Sequence, residues 1–364
     1  MRIAFAWGWT GWHVFPVQSL ISYIHTHQQP ADGASTHQLF WFGESPSLEY
    51  VRALALQKTI PELTFLTITS GKYRRENELR AHLQNVIDLV KLTWWFFQSL
   101  YYLSSRHIDV VFSKGWYVSL PVVIAAWLLR KPIILHESDT KPGLANRICS
   151  RFATTIFTWF AWVFPGKEIV VGQILAEELV DEKFTPPHTD TTHILVTWWS
   201  QWAQTMFQPL LDIIANLSIE RPVSSYHFHV VIGTKNIDLV SAFRALPHTT
   251  VYDFIEQKKM WELLSLCDVA ITRWGTTSLA EQQLFNLRKI IIPIPRTHDQ
   301  KKNALYYRDT HQDIVVFQDT PTYISDFTRA VTEAIGYKKK SYENPAAQIA
   351  RPKEIIREHI ARYI

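Results

Sequence analysis

The fold is decided by residues 2–16, RIAFAWGWTGWHVFP, where an apolar run ends in a turn that leads into a helical pattern. A strand, a tight turn and a helix in this order form the first unit of a doubly wound α/β domain. The turn places backbone N–H groups at a helix N-terminus, where amides and helix dipole stabilise an anion. His13 lies at the helix start, where it either faces the expected cleft or is a solvated capping residue.

The rest of the chain repeats this pattern. Short β-rich apolar runs alternate with longer helical patterns, which predicts parallel sheets flanked by helices. The pattern restarts at His193–Thr197 after a polar stretch. We therefore predict an α/β protein with two Rossmann-like, doubly wound domains facing across a cleft. The predicted domains are 1–163 and 164–340, and the helical segment 341–364 is expected to pack back on the first domain.

Composition narrows the class of protein. The chain has 364 residues, of which 47% are hydrophobic, so two domains with substantial cores fit its length. The formal net charge of +4 suits an anionic membrane surface or a phosphorylated substrate and is too small to indicate nucleic acid. Two distant cysteines, no leader-like N-terminus and no run of 18 apolar residues predict a cytosolic chain without a disulfide framework.

Five further segments place polar residues where a predicted strand ends, and in open α/β sheets that edge binds ligands. The segments are SKGWYVSLP (113–121), HESDTKPGLANR (136–147), TWWSQWAQ (197–204), RWGTTSLAE (273–281) and HDQKKNA (298–304).

Three of these side chains have a chemistry of their own. Glu137, in a cluster with His136 and Asp139, is a candidate general base or hydroxyl ligand, although a turn capped by Asp139 explains the same residues. Ser200, at a helix N-terminus, suits a phosphate. Glu281, near the start of another helix, can accept hydrogen bonds from ribose hydroxyls or can simply stabilise the helix dipole.

In this order the six segments resemble the MurG family of bacterial glycosyltransferases. Residues 8–13, GWTGWH, resemble the family's GGTGGH loop, residues 197–204 its GGSQGA loop, and HESDTKPGLAN matches closely as it stands. The resemblance extends from residue 2 to about residue 335. It implies a GT-B fold and an inverting hexosyltransferase that moves GlcNAc from UDP-GlcNAc to the muramyl 4-hydroxyl of lipid I, giving lipid II for peptidoglycan. The alternatives are another GT-B UDP-sugar transferase with a different acceptor, or a non-enzymatic homologue.

The resemblance also implies roles for single residues. His13 is the first candidate for the catalytic base and Glu137 the second. The residues implied in UDP-GlcNAc binding are Thr10, Gly11, Trp12, Asp139, Ser200, Phe254, Ile255, Gly275, Thr276, Thr277, Ser278, Glu281 and Gln300. The residues implied in acceptor binding are Gly8, Trp9, Trp116, Tyr117 and Asn146.

Some features are absent from the sequence. No Asp-x-Asp motif is present, so neither a metal nor another cofactor is expected. The family commonly carries Asn-Pro-x-Arg after the Val-Gly of its linker strand, whereas here residues 173–176 read QILA. A phosphate contact is therefore either lost in this chain or supplied by Arg147 or Arg273.

Tryptophan stands where the family has glycine. The chain has 15 Trp and only 12 Gly, although glycine normally makes up about 7% of a protein. Our hypothesis is that UGA codons read as glycine in the source were translated as tryptophan; an altered or decayed sequence is the rival. The eight positions are Trp7, Trp9, Trp12, Trp116, Trp198, Trp199, Trp202 and Trp274.

An apolar helix at about 83–103, with basic residues just upstream, suits peripheral docking on an anionic leaflet. A helix buried against the sheet explains the same pattern. An enzyme that acts on lipid I is expected at the cytoplasmic face of the cell membrane, with other cell-wall enzymes as partners.

Overall fold

The structure is a computed structural model. It describes residues 1–7, 11–27, 37–68, 79–116, 118–176, 190–198, 204–220, 225–233, 236–273, 275–295, 298–341 and 346–363. Within these ranges the side chains of residues 11–13, 48, 79–90, 204, 220, 257, 298 and 299 are left out of the description.

The described chain separates into two compact units, Met1–Glu177 with Ala346–Ile364, and Glu178–Pro345. The first unit contains a seven-stranded sheet in which every pairing is parallel and the order is β3-β2-β1-β4-β5-β6-β7. Its strands are β1 (Arg2–Ala6), β2 (Gln38–Gly43), β3 (Leu63–Thr67), β4 (Val110–Ser113), β5 (Ile133–Glu137), β6 (Thr155–Thr158) and β7 (Glu168–Val170). Its first helices are α1 (Gly11–Thr26), α2 (Leu48–Gln57), α3 (Leu79–Ser105), α4 (Ser119–Leu128) and α5 (Leu144–Cys149).

Both faces of this sheet are buried, which explains why its strands are continuous apolar runs. One face packs against α1 and α2 in a core that includes Phe5, Val17 and Trp41. The other face packs against α3 and α4 in a core that includes Trp95 and Val122.

The second unit repeats the plan with six parallel strands in the order β10-β9-β8-β11-β12-β13. Its strands are β8 (Thr192–Thr197), β9 (Tyr226–Val231), β10 (Thr249–Tyr252), β11 (Val269–Thr272), β12 (Arg288–Ile291) and β13 (Ile314–Val315). Its helices are α6 (Gln204–Glu220), α7 (Val240–Arg244), α8 (Gln257–Leu266), α9 (Thr276–Leu284), α10 (His298–His311) and α11 (Tyr323–Ala334). The prediction of two Rossmann-like parallel sheets is confirmed.

The strand order reverses once in each sheet, between β1 and β4 and between β8 and β11. The connections leave such a pair of strands toward opposite sides, so a crevice opens at their carboxyl ends, where open α/β sheets bind ligands. This topology makes the residues that directly follow these four strands the first candidates for a functional site.

The first unit extends beyond the predicted boundary at residue 163. Because β7 pairs with β6, residues 168–170 belong to the first sheet. The predicted segment 341–364 is divided between the two units. Its residues up to Pro345 lie in the second unit, and its helix, α12 (Ala346–Ala361), lies in the first. There Ile356 and Ile360 enter the core, and the buried Lys353 donates to the carbonyl of Leu175 at 3.0 Å.

Candidate functional site

Glu137, the last residue of β5, organises the turn that follows it. Its Oε1 accepts hydrogen bonds from the backbone N–H groups of Ser138 (2.8 Å) and Asp139 (3.0 Å). Its Oε2 accepts from Nδ2 of Asn146 (2.7 Å) and from the N–H of Gly143 (3.4 Å). One carboxyl group therefore ties together the end of a strand, the turn and the first residues of α5.

The same contacts separate Glu137 from solvent. Its side chain is 4% exposed, and burial raises its pKa to about 7, with the charge of Asp139 adding to the rise. The hydrogen bonds from Asn146, Ser138 and the Asp139 amide act in the opposite direction by stabilising the charged form. With both oxygens occupied, Glu137 is placed to hold the turn and is poorly placed to reach a substrate hydroxyl.

Asn146 lies directly over Gly115, the second residue after β4. A Cβ atom added at Gly115 would stand 2.1 Å from Oδ1 of Asn146, and the glycine has a φ of +94°. Both the close contact and the positive φ require glycine at this position, because a Cβ atom would clash with Asn146 and the left-handed region disfavours residues with a side chain. Oδ1 of Asn146 is buried without a hydrogen-bond partner among the described residues.

Lys114, between Ser113 and Gly115, is a buried cation. Its side chain is 7% exposed, and its Nζ lies over the Trp7 ring, 5.3 Å from the centroid. Burial lowers the pKa of Lys114 to about 8, although the charges of Asp139 and Glu137 raise it. The sequence did not single out this residue; its position directly after a strand beside the reversal was the available signal.

The structure describes only some of the other residues predicted for this edge of the first sheet. Asp139 is half-buried, and Gly11 is the first residue of α1, which places Trp12 and His13 in the first helical turn. The side chains of Trp12 and His13 lie outside the description. Gly8, Trp9, Thr10 and Tyr117 lie outside the described residues altogether.

The second sheet presents a matching edge. Arg273 directly follows β11 and is buried, which lowers the pKa of its guanidinium to about 10. The hydroxyls of Thr197 and Thr272 join the ends of β8 and β11 at 3.4 Å. Arg273 also lines a cavity of about 490 Å³, together with Thr205, Pro209, Ile294, Pro295, Gln318, Tyr323 and Ile324.

Most of the residues predicted to bind UDP-GlcNAc follow strands of this sheet. After β10, Phe254 is 65% exposed and its neighbour Ile255 is buried. After β11, Gly275 precedes α9, whose first residues are Thr276, Thr277 and Ser278. Ser200 lies outside the described residues.

Glu281 and Gln300 differ in how far their polar groups are engaged. Glu281 is half-buried on α9, its carboxylate has no hydrogen bond or ion pair with the described residues, and burial raises its pKa to about 8. Gln300 on α10 accepts a hydrogen bond from the N–H of Ile294 at its Oε1 (2.8 Å). A carboxyl that is held at some energetic cost, with no partner among the described residues, is available to accept hydrogen bonds from a ligand.

The structure describes the side chains of three of the tryptophans at the family's glycine positions. Trp116 adopts a φ of +74°, a conformation that glycine reaches without strain and a bulky residue rarely adopts. Trp7 and Trp198 instead fill hydrophobic cores, and Trp198 packs on Phe207 with ring centroids 4.7 Å apart. Nε1 of Trp198 is buried without a partner among the described residues. The other five positions have side chains outside the description.

No group of three or more His, Cys, Asp or Glu side chains in the described part of the chain is arranged to hold a metal ion.

Family models match both units. The N-terminal domain of glycosyltransferase family 28 matches residues 3–158, and its C-terminal domain matches residues 193–360. Together these matches span most of both sheets.

The chain is also similar in sequence to individual transferases. The UDP-N-acetylglucosamine--N-acetylmuramyl-(pentapeptide) pyrophosphoryl-undecaprenol N-acetylglucosamine transferase of Shouchella clausii is 30% identical over 255 residues, which cover 66% of this chain and 69% of that protein. The enzyme of the same name from Staphylococcus saprophyticus is 28% identical over 88% of this chain and 87% of its own length.

Solved structures support the fold. The crystal structure of Acinetobacter baumannii MurG superposes with a TM-score of 0.71 at 19% identity, covering 99% of each chain. The UDP-GlcNAc 2-epimerase of Methanocaldococcus jannaschii has the same fold, with a TM-score of 0.63 at 12% identity over 99% of this chain and 100% of that chain.

Proposed function

The chain belongs to glycosyltransferase family 28, within it to the MurG transferases, and on that premise we propose that it transfers GlcNAc from UDP-GlcNAc to the muramyl 4-hydroxyl of lipid I. The product is lipid II, a precursor of peptidoglycan. The observation that carries this proposal lies at the edge of the second sheet. The exposed ring of Phe254 follows β10, and the carboxylate of Glu281, which no described residue engages, lies on the helix that follows β11.

The second unit binds the donor. Phe254 covers the uracil with its exposed ring, and Ile255 contacts the base through its backbone. The carboxylate of Glu281 accepts hydrogen bonds from the ribose hydroxyls, since no described residue occupies it. These contacts select a uridine nucleotide.

The diphosphate and the sugar lie along the same edge. Ser200 and the residues from Gly275 to Ser278 contact the diphosphate at the start of α9, where the helix dipole favours an anion. Arg273 adds the positive charge that the family takes from the linker-strand arginine missing here. Because Oε1 of Gln300 is bound to Ile294, its amide N–H groups face the sugar.

The first unit binds the acceptor and supplies the base. The muramyl 4-hydroxyl oxygen attacks the anomeric carbon, His13 takes the hydroxyl proton, and the bond to UDP breaks with inversion. Amides and the α9 dipole stabilise the charge that develops on the departing UDP. Glu137 is a positioning residue, since it and Asn146 hold the turn at 138–143 against the end of β4.

The test is transfer of GlcNAc to a lipid I analogue by the chain with glycine at the eight tryptophan positions. Because Trp7 and Trp198 fill cores, glycine there leaves cavities that cost on the order of 3–5 kcal/mol each. A second variant therefore keeps these two tryptophans and changes only the other six. We expect transfer from at least one of the two variants and far less from the unchanged chain.

The outcomes separate the alternatives. Binding of UDP-GlcNAc without transfer to lipid I indicates another acceptor. Absence of UDP-GlcNAc binding in both folded variants contradicts the proposed function and favours a non-enzymatic protein.

We further propose that α3 docks the enzyme on the cytoplasmic face of the membrane. Trp94, Phe97 and Tyr101 are 60%, 56% and 67% exposed and recur at the spacing of one helix face. We call these three residues the α3 aromatic stripe. Among the described residues, no helix combines the length and hydropathy needed to cross a bilayer. Exposed aromatic rings on one helix face fit insertion at the headgroup level.

Replacement of Trp94 and Phe97 by Asp is expected to weaken binding to phosphatidylglycerol vesicles at least about tenfold, because each buried aromatic contributes over a kcal/mol. Vesicle co-sedimentation measures this. The matched control is Val51→Asp, since Val51 is 60% exposed on α2, whose partners lie on the other face of the sheet. Equal binding by the double variant and the parent contradicts docking through α3.

A further inference from the structure

The two units place a buried cation at the same topological position. Lys114 is the first residue after β4, the strand that follows the reversal in the first sheet. Arg273 is the first residue after β11, the equivalent strand of the second sheet. Both side chains are less than a tenth exposed. Ligands of doubly wound sheets bind at this crevice, so both cations are positioned for one.

No acceptor among the described residues faces the ammonium of Lys114. Its Nζ makes neither a hydrogen bond nor an ion pair with them, and it lies over the Trp7 ring, 5.3 Å from the centroid. Glu137 is already engaged by four N–H donors. A largely desolvated charge without hydrogen bonds costs free energy, which a ligand of opposite charge would offset.

The surrounding charges keep Lys114 positive until a ligand arrives. Asp139, half-buried on the following turn, and Glu137 favour the protonated amine, while burial opposes it. The helix α1 begins at Gly11, four residues after Trp7, and brings its N-terminal amides to the same edge of the sheet. A cation beside a helix N-terminus favours a group of high negative charge.

We propose that Lys114 contacts the diphosphate of the lipid-linked acceptor, as Arg273 contacts the diphosphate of the sugar nucleotide. This inference rests on the proposed function, in which each unit receives one substrate that carries a diphosphate. The specificity of the first unit for a diphosphate-linked acceptor then depends on one ammonium group, with Asp139 and Glu137 as the groups that maintain its charge.

The first test separates the two substrates. In whichever glycine variant gives transfer, Lys114→Met is expected to raise the KM for the lipid I analogue by about 10- to 100-fold, because hydrogen bonds to charged groups contribute about 1.5–3 kcal/mol. The Kd for UDP should stay unchanged. Arg273→Met should weaken UDP binding and leave the acceptor KM unchanged. Lys131→Met, which removes a charge at the opposite end of β5, is the matched control.

An acceptor analogue without the diphosphate shows which part of the substrate is recognised. Lys114→Met should make little difference with this analogue, and Lys114→Arg should recover part of the affinity for the complete one. An equal loss with both acceptors, or a loss of UDP affinity in Lys114→Met, would overturn the proposal.

A second measurement does not depend on transfer. In the ¹⁵N-labelled chain, inorganic pyrophosphate should raise the pKa of the Lys114 ammonium above its value of about 8, as followed by its NMR resonance. The same response to a prenyl diphosphate, and none to a prenyl alcohol, identifies the diphosphate as the recognised group. No response to either diphosphate rejects the role of Lys114, whereas a response without any transfer rejects only the proposed reaction.

Discussion

Gly115→Ala is expected to lower the free energy of unfolding of the first unit by about 3 kcal/mol, from backbone strain and loss of a charged hydrogen bond. The new Cβ would stand 2.1 Å from Oδ1 and 2.5 Å from Cγ of Asn146, so Asn146 must move. Its Nδ2 then no longer reaches Oε2 of Glu137, 2.7 Å away in the structure. The φ of +94° adds strain that alanine cannot relieve.

Chemical denaturation measures this loss, and Gly143→Ala is the matched control. Gly143 lies on the same turn and also donates to Glu137, but its φ is −61° and a Cβ there meets nothing within 4 Å. The control should be close to neutral. If Gly115→Ala is as stable as Gly143→Ala, the buried cluster around Glu137 does not hold this edge of the sheet together.

In the glycine variant that gives transfer, Glu281→Gln is expected to weaken UDP binding by about 10- to 100-fold, because a hydrogen bond to a charged acceptor contributes about 1.5–3 kcal/mol. The amide keeps the size of the side chain but is a weaker acceptor for the ribose hydroxyls. Calorimetric titration with UDP measures the change. The exposed Glu333 on α11 offers the control, Glu333→Gln, which removes the same charge from the second unit.

The affinity for UDP should also depend on pH. Burial raises the pKa of Glu281 to about 8, and only the ionised form accepts both hydroxyl hydrogens. The Kd for UDP should therefore fall as pH rises through about 8 in the parent and stay flat there in Glu281→Gln.

The stability of the fold should fall with rising pH, whereas the affinity for UDP should rise. The folded-state pKa of Glu281 lies above its ordinary value of 4.5, so its contribution to stability is full below pH 4.5 and is lost as pH rises through about 8. Glu281→Gln removes this loss and should be more stable than the parent in alkaline buffer. Tight UDP binding by the variant together with unchanged stability would exclude a binding role for this carboxyl.

The strands and helices of the site could be placed from local patterns. The strand Arg2–Ala6 and the strand Thr155–Thr158 follow directly from apolar runs bounded by turn residues. The helix α2 and the short strand β7 do not stand out in the sequence, because a ten-residue helix and a three-residue strand give too little periodicity. Missing β7 also placed the domain boundary too early.

Side-chain roles were harder to predict than positions. The sequence shows Glu137 only as a polar residue after a strand. Nothing in that pattern distinguishes a catalytic base from a carboxylate that stabilises a turn. The four N–H donors to Glu137 come from residues as far as Asn146, and their convergence on two oxygens is a three-dimensional fact. Lys114 was not predicted for the same reason: the residues next to it in the chain do not indicate that its side chain is buried.

The sequence by itself determined the two parallel sheets, the segments that follow their strands and the chemistry those segments can carry, because periodicity and turn residues are local properties of the chain. Only the tertiary structure decided which of those residues are available to a ligand. Pairing of β1 with β4 joins residues 107 positions apart in the chain, and pairing of β8 with β11 joins residues 75 positions apart. The packing around these strands encloses Glu137, leaves Glu281 without a partner among the described residues, and buries Lys114 and Arg273 beside the two reversals.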